Sequence, residues 1–456
     1  MTTEFFLLIS LLTVAAFIFL FFVYATIVSL IENEKRAASR FLFLSILIPL
    51  FYLLPIYLGI SEYEYLSLGI LLFTIIFVFV IFIPIRGSQK LEIEDAKGRI
   101  DERDIVFSRR KLKEGTERHT EYYKRRPENL NPDNEFKSKP GLCSPGSIYY
   151  DPTLFTATDA TFQTIEPLMS VVDGEKSDDI KNYDPKEFTT FLKNWLKHLG
   201  ALDSGVCLLK EEHLYSVRGR EFNYDEVVEK KHKYAIAFSV EMDHAMTAAG
   251  PKAATVMESA QQYLNSGTIS IQIANFIRAL GHDAKAHIDG NYEVLCPLVA
   301  KDAGLGEIGR MGLLMTPKLG PRVRLGVITT NIPLEINEKH EEKTMIDFCN
   351  RCMKCAEVCP SNSISFEDRE LINGVKRWQI DSTSCFTLWC TAGTDCGRCM
   401  SVCPYSHPDN LLHNIIRFGI RNNFLFRRMA IWLDDYFYGK KPMSKESPKW
   451  MNIKEL

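Results

Sequence analysis

The stretch FCNRCMKCAEVCPSNSISF, residues 348–366, sets Cys349, Cys352, Cys355 and Cys359 at intervals of two, two and three residues and follows the last with a proline. This is the spacing by which thiolates hold four-iron clusters, with three ligands on one cluster and the fourth on a second. Structural zinc sites instead pair two C-x2-4-C units or add histidines. The stretch therefore predicts iron–sulfur clusters and single-electron transfer.

A second, incomplete copy of this spacing follows at Cys396, Cys399 and Cys403, where a glycine stands in place of the leading cysteine. Two four-iron clusters need eight thiolates, so the eighth ligand lies elsewhere. Cys385 and Cys390 are the nearby candidates, and Cys385 is favoured. We assign Cys349, Cys352, Cys355 and Cys403 to the first cluster, and Cys359, Cys385, Cys396 and Cys399 to the second.

The N-terminal 85 residues have a different character from the rest of the chain. Three nearly uncharged runs, Phe5 to Ile31, Phe41 to Ile60 and Leu66 to Ile85, are each long enough to cross a bilayer. The first run is too long for a cleaved signal peptide. Residues 1–85 are therefore predicted to form a three-helix membrane anchor.

Basic residues predict the orientation of this anchor. The first connection holds Lys35, Arg36 and Arg40, the second holds only acids, and further Lys and Arg residues follow the third run. Basic loops stay in the cytoplasm. We expect a multi-pass protein of the cell (inner) membrane with an external N-terminus and a cytoplasmic catalytic body.

Composition limits the partners and the compartment. The formal net charge of the 456 residues is only −3, which gives no general attraction for nucleic acid. Twelve cysteines with C-x2-C clustering favour metal ligation over disulfides, and hence a reducing or oxygen-poor compartment.

The charged residues 86–142 are interpreted as a juxtamembrane linker of short helices and loops. Within it stands a twin arginine, Arg109 and Arg110. Because no apolar segment follows this pair, we interpret it as a solvated basic patch and not as an export signal.

Residues 143–340 have a globular pattern. A helix is predicted to end at Gly200 and a long amphipathic helix at Gly281, with strands in SGVCLLK, YAIAFSVEM and VRLGVITTNIPL. Gly304 and Gly306 open a G-x-G-x-x-G match, but strand and turn follow it where a dinucleotide site needs a helix. We interpret it as a turn closely approached by another ligand or by backbone.

Several blocks in order resemble the corrinoid-dependent reductive dehalogenases, which are related to epoxyqueuosine reductases. These blocks are ERDIVFSRRKLKEG, IRALGHDA, DAGLGEIGRMGLLMTPKLGPRVRL, WQIDSTSCFTLWCTAGTDCGRCMSVCPYSHPDN and DDYFYGKKP. The resemblance implies an α+β fold: a nitroreductase-like corrinoid-binding domain over 143–340, a ferredoxin-like domain with two [4Fe-4S] clusters over 341–415, and a C-terminal extension, 416–456, packing on the core.

The resemblance also implies site residues. Tyr263 matches the family's proton-donating tyrosine, Arg324 matches its basic partner, and Asn291 matches a polar active-site residue. The resemblance also implies that a cobalamin-type corrinoid is bound with help from Gly304, Gly306, Arg310 and Arg322. A neighbouring guanidinium should lower the pKa of the phenol. Three alternatives stay open. Tyr263 is a packed helix tyrosine, Arg322 takes the role of Arg324, or Asn291 is an ordinary turn residue.

The implied activity is removal of halogen from an organohalide, with electrons passing through two clusters to cobalt, whose Co(I) state attacks the halogen or the carbon bearing it. The three spans predict a membrane electron donor, either the quinone pool or a redox protein. Two alternatives are an epoxyqueuosine reductase-like enzyme and a non-catalytic membrane iron–sulfur electron-transfer protein. A bulky RNA partner fits three membrane spans poorly.

Overall fold

The computed structural model describes residues 3–85, 98–338, 343–372 and 375–453. The helices are α1 Thr3–Ile31, α2 Lys35–Leu58, α3 Glu64–Phe82, α4 Val106–Arg109, α5 Glu117–Arg125, α6 Leu130–Lys137, α7 Pro152–Ile165, α8 Pro185–His198, α9 His244–Ala248, α10 Ala253–Ala279, α11 Cys296–Asp302, α12 Lys343–Cys352, α13 Lys354–Glu357, α14 Ser382–Ala392, α15 Arg398–Ser401, α16 Leu411–Asn422 and α17 Phe424–Tyr438. The strands are β1 Asp203–Leu208, β2 Tyr234–Glu241, β3 Ala284–His287, β4 Glu307–Ile308, β5 Leu314–Met315, β6 Val323–Thr330, β7 Glu370–Ile372 and β8 Val375–Arg377.

The chain divides into two compact units. One unit comprises Met1–Lys90 with Asp409–Pro442, and the other comprises Leu91–Pro408 with Met443–Leu456. The C-terminal stretch that was expected to pack on the core is therefore shared between them. Residues up to 442 group with the N-terminal helices, where Phe437 of α17 stacks on Phe41 of α2. Lys445, in contrast, bonds through its amide to the carbonyl of Ala248 in the larger unit.

In the first unit, α1, α2 and α3 are long and apolar enough to cross a membrane. Most of their side chains are exposed and apolar, which is stable in lipid and not in water. Leu11, Tyr52 and Ile70 bring the three helices together, and the Tyr52 hydroxyl shares a hydrogen bond with Thr74 Oγ1 at 2.8 Å. These helices coincide with the three predicted spans.

The second unit is built on a four-stranded antiparallel sheet with the order β1-β2-β6-β3. Helix α10 packs across it, and Phe238, Ile273 and Ile328 are fully buried between them. The chain turns back after α10 at Gly281, whose φ of +85° and close approach to the Ile180 backbone suit only glycine. This antiparallel arrangement confirms mixed α and β structure.

Helices α4 and α6 of residues 98–142 pack beside α14. Arg109 is 2% exposed, forms an ion pair with Asp133 at 2.7 Å and donates to Thr383 Oγ1 at 2.8 Å. The interpretation of Arg109 and Arg110 as a solvated patch is therefore wrong for Arg109. A carboxylate 24 residues later in the chain supplies the partner that makes its burial stable.

Candidate active site and cluster-binding loops

Tyr263 and Arg324 meet where α10 crosses β6. Ser259 and Tyr263 are four residues apart on α10, so their side chains lie on the same face. The Arg324 guanidinium lies over the Tyr263 ring, 4.6 Å from its centroid, and Nη2 donates a hydrogen bond to Ser259 Oγ at 2.5 Å. The structure thus holds a permanent positive charge against a phenol.

Asp395 fixes this guanidinium from the cluster-binding segment. Arg324 Nη2 donates to Asp395 Oδ2 at 3.3 Å, and the Ser259 hydroxyl donates to the same oxygen. Asp395 is 8% exposed and directly precedes Cys396 in the chain. The Tyr263–Arg324 pair is therefore joined to a predicted cluster ligand through one buried carboxylate.

The charge environment keeps the Tyr263 phenol protonated. Arg324 lowers the pKa of Tyr263 more than any other group does, as expected. Burial and the negative charges of Asp289 and Asp395 outweigh it, so the net pKa is raised above the ordinary value of 10.0. At neutral pH the Tyr263 phenol is therefore protonated and has a proton to donate.

Asp289 lies close enough to Tyr263 to affect the pKa of its phenol, and it was not predicted. Burial raises the pKa of its carboxyl, and the nearby guanidinium groups of Arg220, Arg324 and Arg110 oppose that rise. Asp289 is half-buried and acts electrostatically on Tyr263.

Arg220, whose charge acts on both Tyr263 and Asp289, is held by two partners. Its Nε donates to the fully buried Glu102 at 3.1 Å, and Nη2 donates to the Tyr292 hydroxyl at 2.6 Å. Guanidinium, carboxyl and phenol groups thus lie together in this part of the domain. Such hydrogen-bonding groups fit the amide side chains of the corrinoid that the sequence resemblance implied.

Asn291 lies in the turn that carries Asp289. Its Oδ1 accepts a hydrogen bond from Arg218 Nη2 at 2.9 Å, and its Nδ2 donates to the Met169 carbonyl at 2.8 Å. Asn291 is 6% exposed. In this structure both ends of its amide bond to protein groups and stabilise the turn.

The two predicted cofactor glycines contact backbone. Gly304 adopts a φ of +85°. At Gly306 a Cβ atom would stand 2.0 Å from the Met315 carbonyl oxygen, so no side chain fits. These positions favour close backbone approach, one of the two interpretations made from the sequence.

Arg310 and Arg322 are both buried and bond to main-chain carbonyls. Arg310 donates from Nη1 to the carbonyls of Ser365 and Glu367, each at 2.7 Å, and from Nε to that of Cys349 at 3.1 Å. Arg310 therefore supports the first cluster-binding loop. Arg322 donates to the Ser406 carbonyl at 2.7 Å and to Glu241 at 2.8 Å.

Four cysteines of the first predicted set converge. Burial raises the pKa of Cys403 well above its ordinary value, and the neighbouring thiols of Cys349, Cys352 and Cys355 raise it further. All four line one cavity together with Arg310. The structure brings together the set assigned to one cluster.

The second set converges in the same way. Burial raises the pKa of Cys399, and the thiols of Cys355, Cys396, Cys385 and Cys359 add to the rise. Cys355 belongs to the first set, so the two sets are neighbours.

Cys385 and Cys390, the two candidates for the eighth ligand, have different surroundings. Burial raises the pKa of Cys385, and the neighbouring thiols of Cys396 and Cys359 raise it further. Cys390 is 5% exposed among the apolar side chains of Val106, Phe136 and Phe386. The structure therefore places Cys385 with the second set.

Comparisons with known proteins agree with these observations. Residues 348–407 match the family model described as 4Fe-4S dicluster domain. The chain is 28% identical over 294 residues to the tetrachloroethene reductive dehalogenase of Sulfurospirillum multivorans, covering 57% of this chain and 58% of that protein. It is 26% identical over 176 residues to the epoxyqueuosine reductase of Staphylococcus aureus strain NCTC 8325 / PS 47, covering 33% of this chain and 42% of that protein.

A solved reductive dehalogenase, described in terms of B12-dependent dehalogenation, shares the fold. The TM-score is 0.61 at 23% identity, and the match covers 78% of this chain and 49% of that one. The chain thus spans about half the length of these relatives. Over the matched part, the comparisons confirm the resemblance to reductive dehalogenases that the sequence blocks predicted.

Proposed function

We propose that this chain is a membrane-bound reductive dehalogenase that removes halogen from an organohalide, with electrons passed through two [4Fe-4S] clusters to a corrinoid cobalt. The observation that carries the proposal is the contact network from Tyr263 through Arg324 and Asp395 to the segment of Cys396. It joins a proton donor to an electron-transfer module in one buried network. The overall reaction takes up two electrons and one proton, replaces the carbon–halogen bond by carbon–hydrogen and releases halide.

In this proposal the first cluster is held by Cys349, Cys352, Cys355 and Cys403, and the second by Cys359, Cys385, Cys396 and Cys399. The amide of Ser363 donates to Cys359 Sγ at 3.3 Å, which stabilises a thiolate ligand there. A corrinoid bound in the cavity of a nitroreductase-like domain over 143–340 would supply a strongly nucleophilic reduced cobalt.

The protein's own contribution is control of the proton. Tyr263 holds it on the phenol oxygen, because burial and the two aspartates keep the pKa high. Arg324 stabilises the phenolate that remains after transfer, which lowers the barrier to giving up the proton. Asp289 and Arg220 lie close enough to Tyr263 for their charges to act on its phenol.

The anchor defines the proposed setting of the enzyme. α1, α2 and α3 would each cross the cell (inner) membrane, and the basic connection between α1 and α2 would lie in the cytoplasm with the catalytic domain. A membrane donor, either the quinone pool or a redox protein, would supply electrons. No nucleic-acid partner is required.

Anaerobic purification with reconstitution, followed by a halide-release screen under reduced viologen, tests the proposal. We expect cobalt and corrinoid absorbance together with halide release, and loss of that release in Tyr263→Phe with both clusters intact. An electron carrier would show the clusters and release no halide from any organohalide. Turnover of an epoxyqueuosine-modified tRNA stem loop in place of organohalide would instead favour the epoxyqueuosine reductase-like alternative.

A further inference from the structure

Helices α16 and α17, which we name the C-terminal hairpin, are attached to one end of the three apolar helices. Asn423, between the two hairpin helices, donates to the carbonyls of Val80 and Ile83 at 2.7 and 2.8 Å. The Phe437 ring stacks on Phe41 of α2 with centroids 3.9 Å apart. The hairpin is therefore bonded to the end of α3 and packed against the beginning of α2.

The same end of the bundle includes the end of α1. His413 Nε2 lies 3.0 Å from a Glu32 carboxylate oxygen, and Asn410 Nδ2 donates to the same carboxylate at 2.8 Å. Arg40 of α2 lies over the Tyr436 ring at 4.2 Å. The hairpin thus contacts all three helices at the end that carries the basic connection.

The outward face of the hairpin is apolar at regular intervals. Leu411, Phe418, Leu425 and Trp432 are separated by seven residues each and are 63%, 55%, 46% and 65% exposed. A seven-residue interval is nearly two helical turns, so each pair lies on one face of its helix. Each hairpin helix therefore exposes two large apolar side chains on one of its faces.

The fully exposed charged positions of the two helices are Arg421 and Arg428, while Asp434 and Asp435 of α17 are half-buried. The Arg428 guanidinium lies over the Phe424 ring at 4.5 Å, and Trp432 stacks on Tyr436 with centroids 5.8 Å apart. Tryptophan and tyrosine beside arginine are typical of the headgroup level of a membrane.

We propose that the C-terminal hairpin lies in the headgroup layer on the basic side of the membrane and binds anionic lipid through the face of Leu411, Phe418, Leu425 and Trp432. This inference rests on the membrane anchorage proposed above. A lipid surface is the occupant because the hairpin is attached, through Asn423 and Phe437, to helices whose exposed apolar side chains already require lipid. Arginines on the same face complement anionic headgroups.

Tryptophan quenching in nanodiscs tests this placement with the full chain. The discs contain phosphatidylcholine and phosphatidylglycerol brominated near the headgroup or near the bilayer centre. Trp432 is one of five tryptophans, so headgroup-level bromine is expected to quench about a fifth of the emission. Trp432→Phe should abolish that fraction, whereas the control Trp195→Phe, in α8, should retain it.

Each other outcome overturns the inference in a recognisable way. Stronger quenching by bromine at the bilayer centre would show that the hairpin lies deeper than the headgroup layer. Unquenched Trp432 in discs that hold two copies of the chain would indicate that a second copy covers this face. Incorporation of the chain into discs without any Trp432 quenching would refute the hairpin placement and leave the anchor intact. Failure to incorporate at all would refute the anchorage itself.

A second measurement addresses the lipid charge. Arg421→Glu combined with Arg428→Glu should remove the dependence of Trp432 quenching on phosphatidylglycerol content. Lys230→Glu, an exposed charge on the other unit, is the matched control and should leave that dependence unchanged. Equal quenching in anionic and neutral discs before substitution would refute anionic lipid binding.

Discussion

Replacement of Cys385 and Cys390 by alanine gives the sharpest test of the cluster assignment. The two cysteines are five residues apart on α14, which places their side chains about 140° apart around the helix. Only one face of α14 can therefore point to the second set of thiols. Cys385 has Cys396 and Cys359 as electrostatic neighbours, whereas Cys390 packs among apolar side chains.

With about eight iron atoms per chain in the native protein, Cys385→Ala is expected to lose at least one iron and at most one whole cluster. Cys390→Ala should retain all the iron and lose about 1 kcal/mol of folding free energy, because it removes one small buried apolar group. Iron analysis, electron paramagnetic resonance of the oxidised protein for a three-iron signal, and thermal unfolding measure these effects.

Full iron content in Cys385→Ala together with loss of iron in Cys390→Ala would refute the assignment of Cys385 as the eighth cluster ligand. Equal loss in both variants would show that α14 as a whole, and not one thiolate, determines cluster binding. Because both substitutions are on one helix and both are to alanine, a general effect on folding would affect them alike.

Three further predictions concern Tyr263, Asp395 and the packing of the sheet. Tyr263→Phe should lower halide release by about 10²- to 10⁴-fold. Without the substitution, halide release should not fall between about pH 6 and about pH 9, because the raised pKa keeps the phenol protonated there. A fall in halide release centred near neutral pH would contradict this. Asp395→Asn should lower halide release and raise the reduction potential of the second cluster in redox titration, because a negative charge beside the cluster is lost. The iron content should stay constant. An unchanged reduction potential would contradict the position of Asp395 beside the second cluster. Gly205→Ala should destabilise the fold by about 1–3 kcal/mol in chemical unfolding, because its Cβ would stand 2.0 Å from a backbone oxygen, whereas the control Gly267→Ala meets nothing closer than 3.6 Å and should be nearly neutral.

Periodicity predicted the elements well where one pattern dominates. The helix ending near Gly200, the long helix before Gly281 and the strands of β2 and β6 are present as expected. Burial of an apolar face determines such elements locally. The antiparallel order β1-β2-β6-β3 is not visible in the sequence, since it depends on pairing between distant segments.

The candidate site was predictable only in part. The resemblance to the family identified Tyr263 and Arg324, but the residues that position them depend on tertiary contacts. Asp395 was overlooked among cluster cysteines, and Asp289 was hidden in a turn-forming run. Arg109 was misread because its partner, Asp133, is recognised only once the helices pack.

The single carboxylate of Asp395 also has a consequence for how the enzyme matures. Its position next to Cys396 depends on the fold of a loop that iron binding is expected to order. Arg324 takes its orientation from that carboxylate and from Ser259. A newly made chain would therefore acquire a competent proton donor only after its iron–sulfur centres are assembled, which makes cluster insertion the step that commits the protein to activity.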